Sequence, residues 1–223
     1  MPRQLENGVW LQESASFILA NLTSQLPSPA EPFEISFAFR TFASDGVLIY
    51  LTDFSTAHYL LVHFRNGQVV LEFSLTGLDY TQLSTTKVYN DGQWYDVSVE
   101  LEGPSATLTV GMEVLDMDAS IASTFDPSGI VSIGSPVQAA AVGGDVTAQL
   151  SAALQSDVSG PQFSASGCFR NLQLNGVMIN ISESSLVQHK VYFDGCPAEV
   201  CHVYVCVLHV HVCHVCMSIL CIP

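Results

Sequence analysis

Short apolar stretches broken by turns run through most of this chain. Phe33-Glu34-Ile35-Ser36-Phe37-Ala38-Phe39-Arg40 alternates cleanly. Its odd positions Phe33, Ile35, Phe37 and Phe39 form one apolar face, as a half-buried strand requires. Val47 to Leu51 is continuously apolar, the pattern of a strand covered on both faces. Tyr59 to Phe64 and Val69 to Leu75 flank Asn66-Gly67, the dipeptide that best signals a tight hairpin. Trp94 to Leu101 and Ala106 to Val110 flank Gly103-Pro104 in the same way. Gly-Cys-Phe-Arg-Asn-Leu-Gln-Leu-Asn-Gly, residues 167 to 176, alternates around Phe169, Leu172 and Leu174 before a second Asn-Gly turn. A glycine ahead of Cys168 lets another backbone come close there. No long helical period interrupts the series. Many short strands with frequent turns predict an all-β sandwich or barrel. Residues 134 to 166, low in charge and rich in Ala, Ser, Gly and Val, read as weak strands and a long loop.

Composition narrows the function. The chain has 223 residues, six Lys and Arg, 21 Asp and Glu, and a net charge of -15. Its length suits one domain with one sizeable core. Phosphate contacts need clustered basic residues, so nucleic acid is excluded as a partner and anionic membranes are disfavoured. A cation is the more natural ligand. Before residue 200 the only cysteines are Cys168 and Cys196, so a single pairing is open to them. Asn21-Leu22-Thr23 and Asn180-Ile181-Ser182 are glycosylation sequons. Together with a disulfide and the extracellular family resemblance described next, they favour a secreted setting. The polar opening Met1-Pro2-Arg3-Gln4-Leu5-Glu6 is not a signal peptide, which suggests a fragment of a larger secreted or membrane-anchored protein.

Three motifs in order resemble a laminin G-like domain. They are Asp45-Gly46-Val47-Leu48-Ile49-Tyr50-Leu51, then Asn90-Asp91-Gly92-Gln93-Trp94-Tyr95, then the stretch around Cys168 that closes with Asp194-Gly195-Cys196-Pro197. The resemblance implies an antiparallel jelly-roll β-sandwich over residues 8 to 198, with a Cys168–Cys196 bridge near its C-terminal end. Residues 1 to 7 would be an N-terminal extension. It further implies a non-catalytic extracellular adhesion or matrix-interaction module that binds protein or glycan partners through rim loops. A lectin-like or small-ligand carrier on the same sandwich is the alternative.

In members of that family that bind calcium, two rim carboxylates and backbone carbonyls hold the ion. Here the resemblance assigns the carboxylates to Asp53 and Asp126, and the carbonyls to the neighbourhood of Val70 and Thr124. Oxygen ligands of this kind suit a hard cation. Heparin-binding members carry basic patches. This chain has only Arg3, Arg40, Arg65, Lys87, Arg170 and Lys190, spread apart, which argues against heparin.

Other chemistry finds little footing. Glu113-Val114-Leu115-Asp116-Met117-Asp118 alternates carboxylates as some glycosidase strands do. It follows a turn at Gly111-Met112 and lacks a second Glu after Asp118, so a solvated face is expected. No Gly-x-Ser-x-Gly elbow or phosphate-binding glycine loop occurs. His58 and His63 read as packing or hydrogen-bonding residues, and Trp94 as core. From residue 199 the chain changes character, with Cys, His, Val and Tyr in a run that a translated dinucleotide repeat encodes. Cys213 and Cys216 have zinc-ligand spacing but no defined second pair, and the His residues make a poor membrane span. Residues 199 to 223 are therefore set outside the fold.

Overall fold

The alternation at Phe33 to Arg40 becomes the central strand of a sheet, and its odd face is core. In the computed structural model, residues 5–6, 8–22, 32–53, 58–74, 80–103, 105–118, 125, 130–134, 164–197, 201–203 and 219–221 are described. The strands run in chain order as β1 (Leu5–Glu6), β2 (Val9–Leu11), β3 (Phe17–Asn21), β4 (Phe33–Thr41), β5 (Gly46–Asp53), β6 (His58–Arg65) and β7 (Gln68–Ser74). They continue as β8 (Thr81–Ser84), β9 (Tyr95–Glu102), β10 (Ser105–Val110), β11 (Glu113–Asp118), β12 (Ile130–Gly134), β13 (Gly167–Leu174) and β14 (Val177–Met178). A one-turn helix α1 (Ile181–Ser184) precedes β15 (Ser185–His189), β16 (Val191–Tyr192), β17 (Cys196–Pro197), β18 (Cys201–Val203) and β19 (Ile219–Cys221).

Two antiparallel sheets make the sandwich. One has the order β11-β10-β9-β4-β13-β2-β16, with β14 paired to β13; the other has the order β15-β3-β12-β5-β6-β7-β8. Both Asn-Gly turns take the left-handed backbone that selects them, with Asn66 and Gly67 at φ 53° and 80° and Asn175 and Gly176 at 47° and 76°. Phe33, Ile35, Phe37 and Phe39 all join the core between the sheets. Phe37 stacks on Phe169 at 4.7 Å, and Phe39 meets Phe64 of the opposite sheet edge-on at 5.1 Å. Such pairs add about 0.5–1.5 kcal/mol beyond the apolar area they bury.

The seven-stranded sheet is buried on its reverse face as well, in keeping with the continuous apolar run of β5. Val47, Tyr50, Tyr59 and Leu61 form a second cluster there. His63 and Glu72 lie fully buried on the same sheet, and Glu72 accepts a 2.7 Å hydrogen bond from the Tyr59 hydroxyl. Burial and that bond push the Tyr59 hydroxyl pKa up.

Two boundaries differ from the sequence reading or extend it. Leu5 and Glu6, placed in an N-terminal extension, pair with Pro197 and Cys196. In the tail, β18 and β19 pair with each other. Most of residues 134 to 166, read as weak strands and loop, lies outside the described residues.

Candidate functional site

Five strands of the seven-stranded sheet turn back at one end of the sandwich. Asp53, the last residue of β5, is aligned with His58, the first of β6. Tyr59 is aligned with Ser74, where β7 ends. Val131 faces Leu51 and Ile130 faces Asn21, so β12 begins and β3 ends on the same rim. Phe125 is seated in the core against Phe33, ring centroids 5.1 Å apart. The chain between Phe125 and Ile130 therefore starts at an anchored ring and ends beside the terminus of β5. Asp126, expected as the second carboxylate, and Thr124, expected as a carbonyl, fall outside the described residues, as does the Asp53 side chain.

The register corrects the assignment of Val70. It is aligned with His63, five residues along β6 from His58. At the rise of an extended strand this is about 16 Å from the Asp53 rim. Its carbonyl cannot share an ion with Asp53. The reason is that β6 and β7 form a hairpin: residues near its Asn66-Gly67 turn lie toward the opposite pole. β7 itself returns to the Asp53 rim at Ser74. Among the described residues, no three His, Cys, Asp or Glu side chains gather closely enough to hold a metal ion.

The other pole is built from acids that are already engaged. Asp45 accepts from the Ser44 hydroxyl at 2.7 Å and from the Asn66 backbone at 3.0 Å, and these bonds hold its carboxyl below the usual range. Asp91 accepts from the Gln93 backbone at 3.0 Å and from the Tyr95 hydroxyl at 2.9 Å. Gly92 between them has φ 82°, and a Cβ there would stand 2.2 Å from the Phe42 ring. The Asp-Gly-x-Trp motif is thus a turn whose side chains and backbone are both committed.

The Cys168–Cys196 bridge closes the chain near its end, joining residues 28 apart with Cα atoms 5.9 Å apart. The preceding Gly167 makes the close approach expected of it: a Cβ would meet the Arg40 carbonyl oxygen at 2.4 Å. Buried Arg40 donates to the Pro197 carbonyl. Beside it the sequence reading of Trp94 needs correction. Tyr95 is the residue that faces the core, against Phe39 at 6.0 Å. Trp94 therefore points outward, where the Arg170 and Arg40 guanidinium carbons lie 3.8 and 5.0 Å from its ring centroid. The alternation of β9, carried one residue back from Tyr95, was the signal that places it outside the core.

The carboxylate-rich strand β11 is a solvated edge whose acids are held by hydrogen bonds, Glu113 most firmly. Glu113 accepts from the Thr86 backbone and hydroxyl, each at 2.7 Å, and from the Tyr89 hydroxyl at 2.8 Å. Desolvation works against its charge, but these bonds prevail and hold its pKa at about 2. Asp116 accepts from Thr107 at 2.8 Å. Of the sequons, Asn180 is exposed and caps α1, its Oδ1 accepting from Ser182 Oγ at 2.8 Å and from the Glu183 backbone at 3.4 Å. Asn21 is exposed on the Asp53 rim. Buried His63 has its pKa pushed down by desolvation, as a packed neutral imidazole would.

These features agree with what the chain is similar to. The model of the Laminin G domain family matches residues 39–177. Cadherin-related hmr-1 of Caenorhabditis elegans is 30% identical over 181 residues, covering 73% of this chain and 6% of that protein. Laminin subunit alpha-4 of Mus musculus is 28% identical over 151 residues, covering 67% of this chain and 8% of that one. The chain thus spans less than a tenth of the length of either. Among solved structures, domains LG4-5 of the mouse laminin alpha1 chain superpose with a TM-score of 0.71 at 18% identity, covering 91% of this chain and 51% of that one. A family model that spans the central strands, the disulfide strand β13 and the sandwich topology coincide, and the chain belongs to the laminin G domain family.

Proposed function

We propose that this chain is a non-catalytic, extracellular adhesion or matrix-interaction module that offers its Asp53 rim to a protein or glycan partner. The observation that carries the reading is the convergence of β3, β5, β6, β7 and β12 on that rim. A rigid sandwich holds those chain ends in place, and loops so held are where binding residues concentrate. Calcium assists by bridging Asp53 and Asp126, with carbonyls from Thr124 and from the chain after Ser74. Support for the pair comes from Phe125, anchored on Phe33 immediately before Asp126. Two carboxylates brought together repel unless a cation lies between them. A domain with 21 acids and six bases has little else to neutralise them.

The same charge balance weighs against heparin, since Arg40 and Arg170 are both stacked against Trp94. The carrier alternative is disfavoured by the Phe37, Phe39, Phe64 and Phe169 rings packed where a ligand between the sheets would sit. Glycans at Asn21 and Asn180 belong to the extracellular reading, and one at Asn21 would flank the rim. The test is adhesion of the full chain to wells coated with basement-membrane extract, in calcium and in EDTA. A component of retention that needs calcium and is lost in Asp53→Asn supports the proposal. Retention indifferent to both contradicts it.

A further inference from the structure

The outer face of the eight-stranded sheet carries a band of side chains that the adhesion rim does not use. Strand register places Gln173 beside Ser36, Ser36 beside Ser98, and Ser98 beside Thr109, so four polar side chains cross four strands in one row. At about 4.8 Å per strand the row is about 14 Å wide. One row away, Arg170, Ala38 and Asp96 are aligned across three strands. The ladder between β13 and β4 slips between Arg170 and Gln173, and Asn171 there takes φ 57°. This bulge takes two residues out of register and dents the sheet. The dent is a shallow depression of about 240 Å³ lined by Ser36, Asp96, Ser98, Thr109, Asn171 and Gln173 among others.

The chemistry of the lining selects a ligand class. Hydroxyls and amides both donate and accept, and Asp96 adds a charged acceptor. Sugar hydroxyls present donors and acceptors in the same mixed way. The next row holds Glu34, Glu100, Thr107 and Asp116, so a sulfate or phosphate laid along the depression would meet carboxylates. The apolar lining consists of buried Phe37 and Val97, whose side chains point into the core, which leaves no pocket for a greasy ligand.

We infer that this depression is a second binding site, one for a neutral, hydroxyl-rich oligosaccharide, and that it works without calcium. It lies on a sheet face and shares no residue with the Asp53 rim. The test uses the full chain, biotinylated and tetramerised on streptavidin so that weak single-site binding is amplified. It is applied in EDTA to a printed array of neutral, sialylated and sulfated oligosaccharides. Neutral glycans are expected to be retained, and their half-saturation concentration should rise at least tenfold in Asp96→Ala and in Gln173→Ala. Asp53→Asn should leave it unchanged. Asp96 is exposed and Gln173 half-buried on the outer face, and melting temperatures near the wild type verify that the variants fold. An array with no retained neutral glycan overturns the inference. So does retention limited to sulfated or sialylated glycans, retention that survives both substitutions, or loss of retention in Asp53→Asn.

Discussion

Replacing Cys168 and Cys196 together by alanine removes one covalent closure and little else. Both residues are buried, so alanine leaves no polar group behind and no lone thiol to react. The bridge closes a loop of 28 residues. For that length the chain-entropy expression gives about 12 cal/mol/K, or about 3.6 kcal/mol at 25 °C. Such a loss is large against the roughly 5–15 kcal/mol that holds a domain folded. The corner offers little to replace it. β17 is two residues long and pairs with β1, itself two residues long, and a ladder so short does not hold alone. Urea unfolding followed by tryptophan fluorescence suits the measurement, since Trp94 packs against the arginines at this corner. The expected result is a lower midpoint, a loss of about 3–4 kcal/mol, and a steeper m-value because the unlinked chain exposes more surface when unfolded. A loss under about 1 kcal/mol with an unchanged m-value would show that the unfolded chain gains no freedom when the bridge is removed.

Three further outcomes are expected. Glu113→Gln should cost about 1–2 kcal/mol at neutral pH once solvent screening is allowed for; because the folded pKa is lowered from 4.5 to about 2, the difference from wild type in acid-titrated melts should vanish as pH falls through that window. Gly167→Ala should lose about 3 kcal/mol by chemical denaturation, since its Cβ would strike the Arg40 carbonyl, a backbone atom that cannot step aside. Truncation after Ala198 should move the melting temperature by less than about 2 °C, and a larger drop would mean that the tail contributes to the sandwich.

Period-two alternation made the sandwich legible. It places Phe33, Ile35, Phe37 and Phe39 inward, and the two Asn-Gly dipeptides fix hairpins because both their residues tolerate positive φ. Cys168 and Cys196 were legible because no third cysteine competes before residue 200. The site was legible only in part. Asp53 can be placed at a strand end from its own segment, but the Val70 carbonyl depends on how far a hairpin carries the chain away and back. A family assignment carried over residue by residue does not show that reversal, whereas the pairings His58–Asp53 and His63–Val70 do. Trp94 was misread because a large aromatic was taken as core although its neighbour Tyr95 already occupied the inward position. The polar row of Gln173, Ser36, Ser98 and Thr109 had no signal within any one segment. Four strands distant in sequence must align, and a bulge must shift one of them, before it exists.

The central claim, that the Asp53 rim is a calcium-assisted binding edge, is tested most directly by calcium titration calorimetry on the wild type and Asp53→Asn, with thermal melting alongside. The account predicts one site in the wild type and none in the variant. A hundredfold excess of calcium over the dissociation constant should add about 2.7 kcal/mol to the wild type's stability, while the two proteins melt alike in EDTA. Millimolar calcium that produces no heat and leaves the wild-type melting temperature unmoved would contradict it.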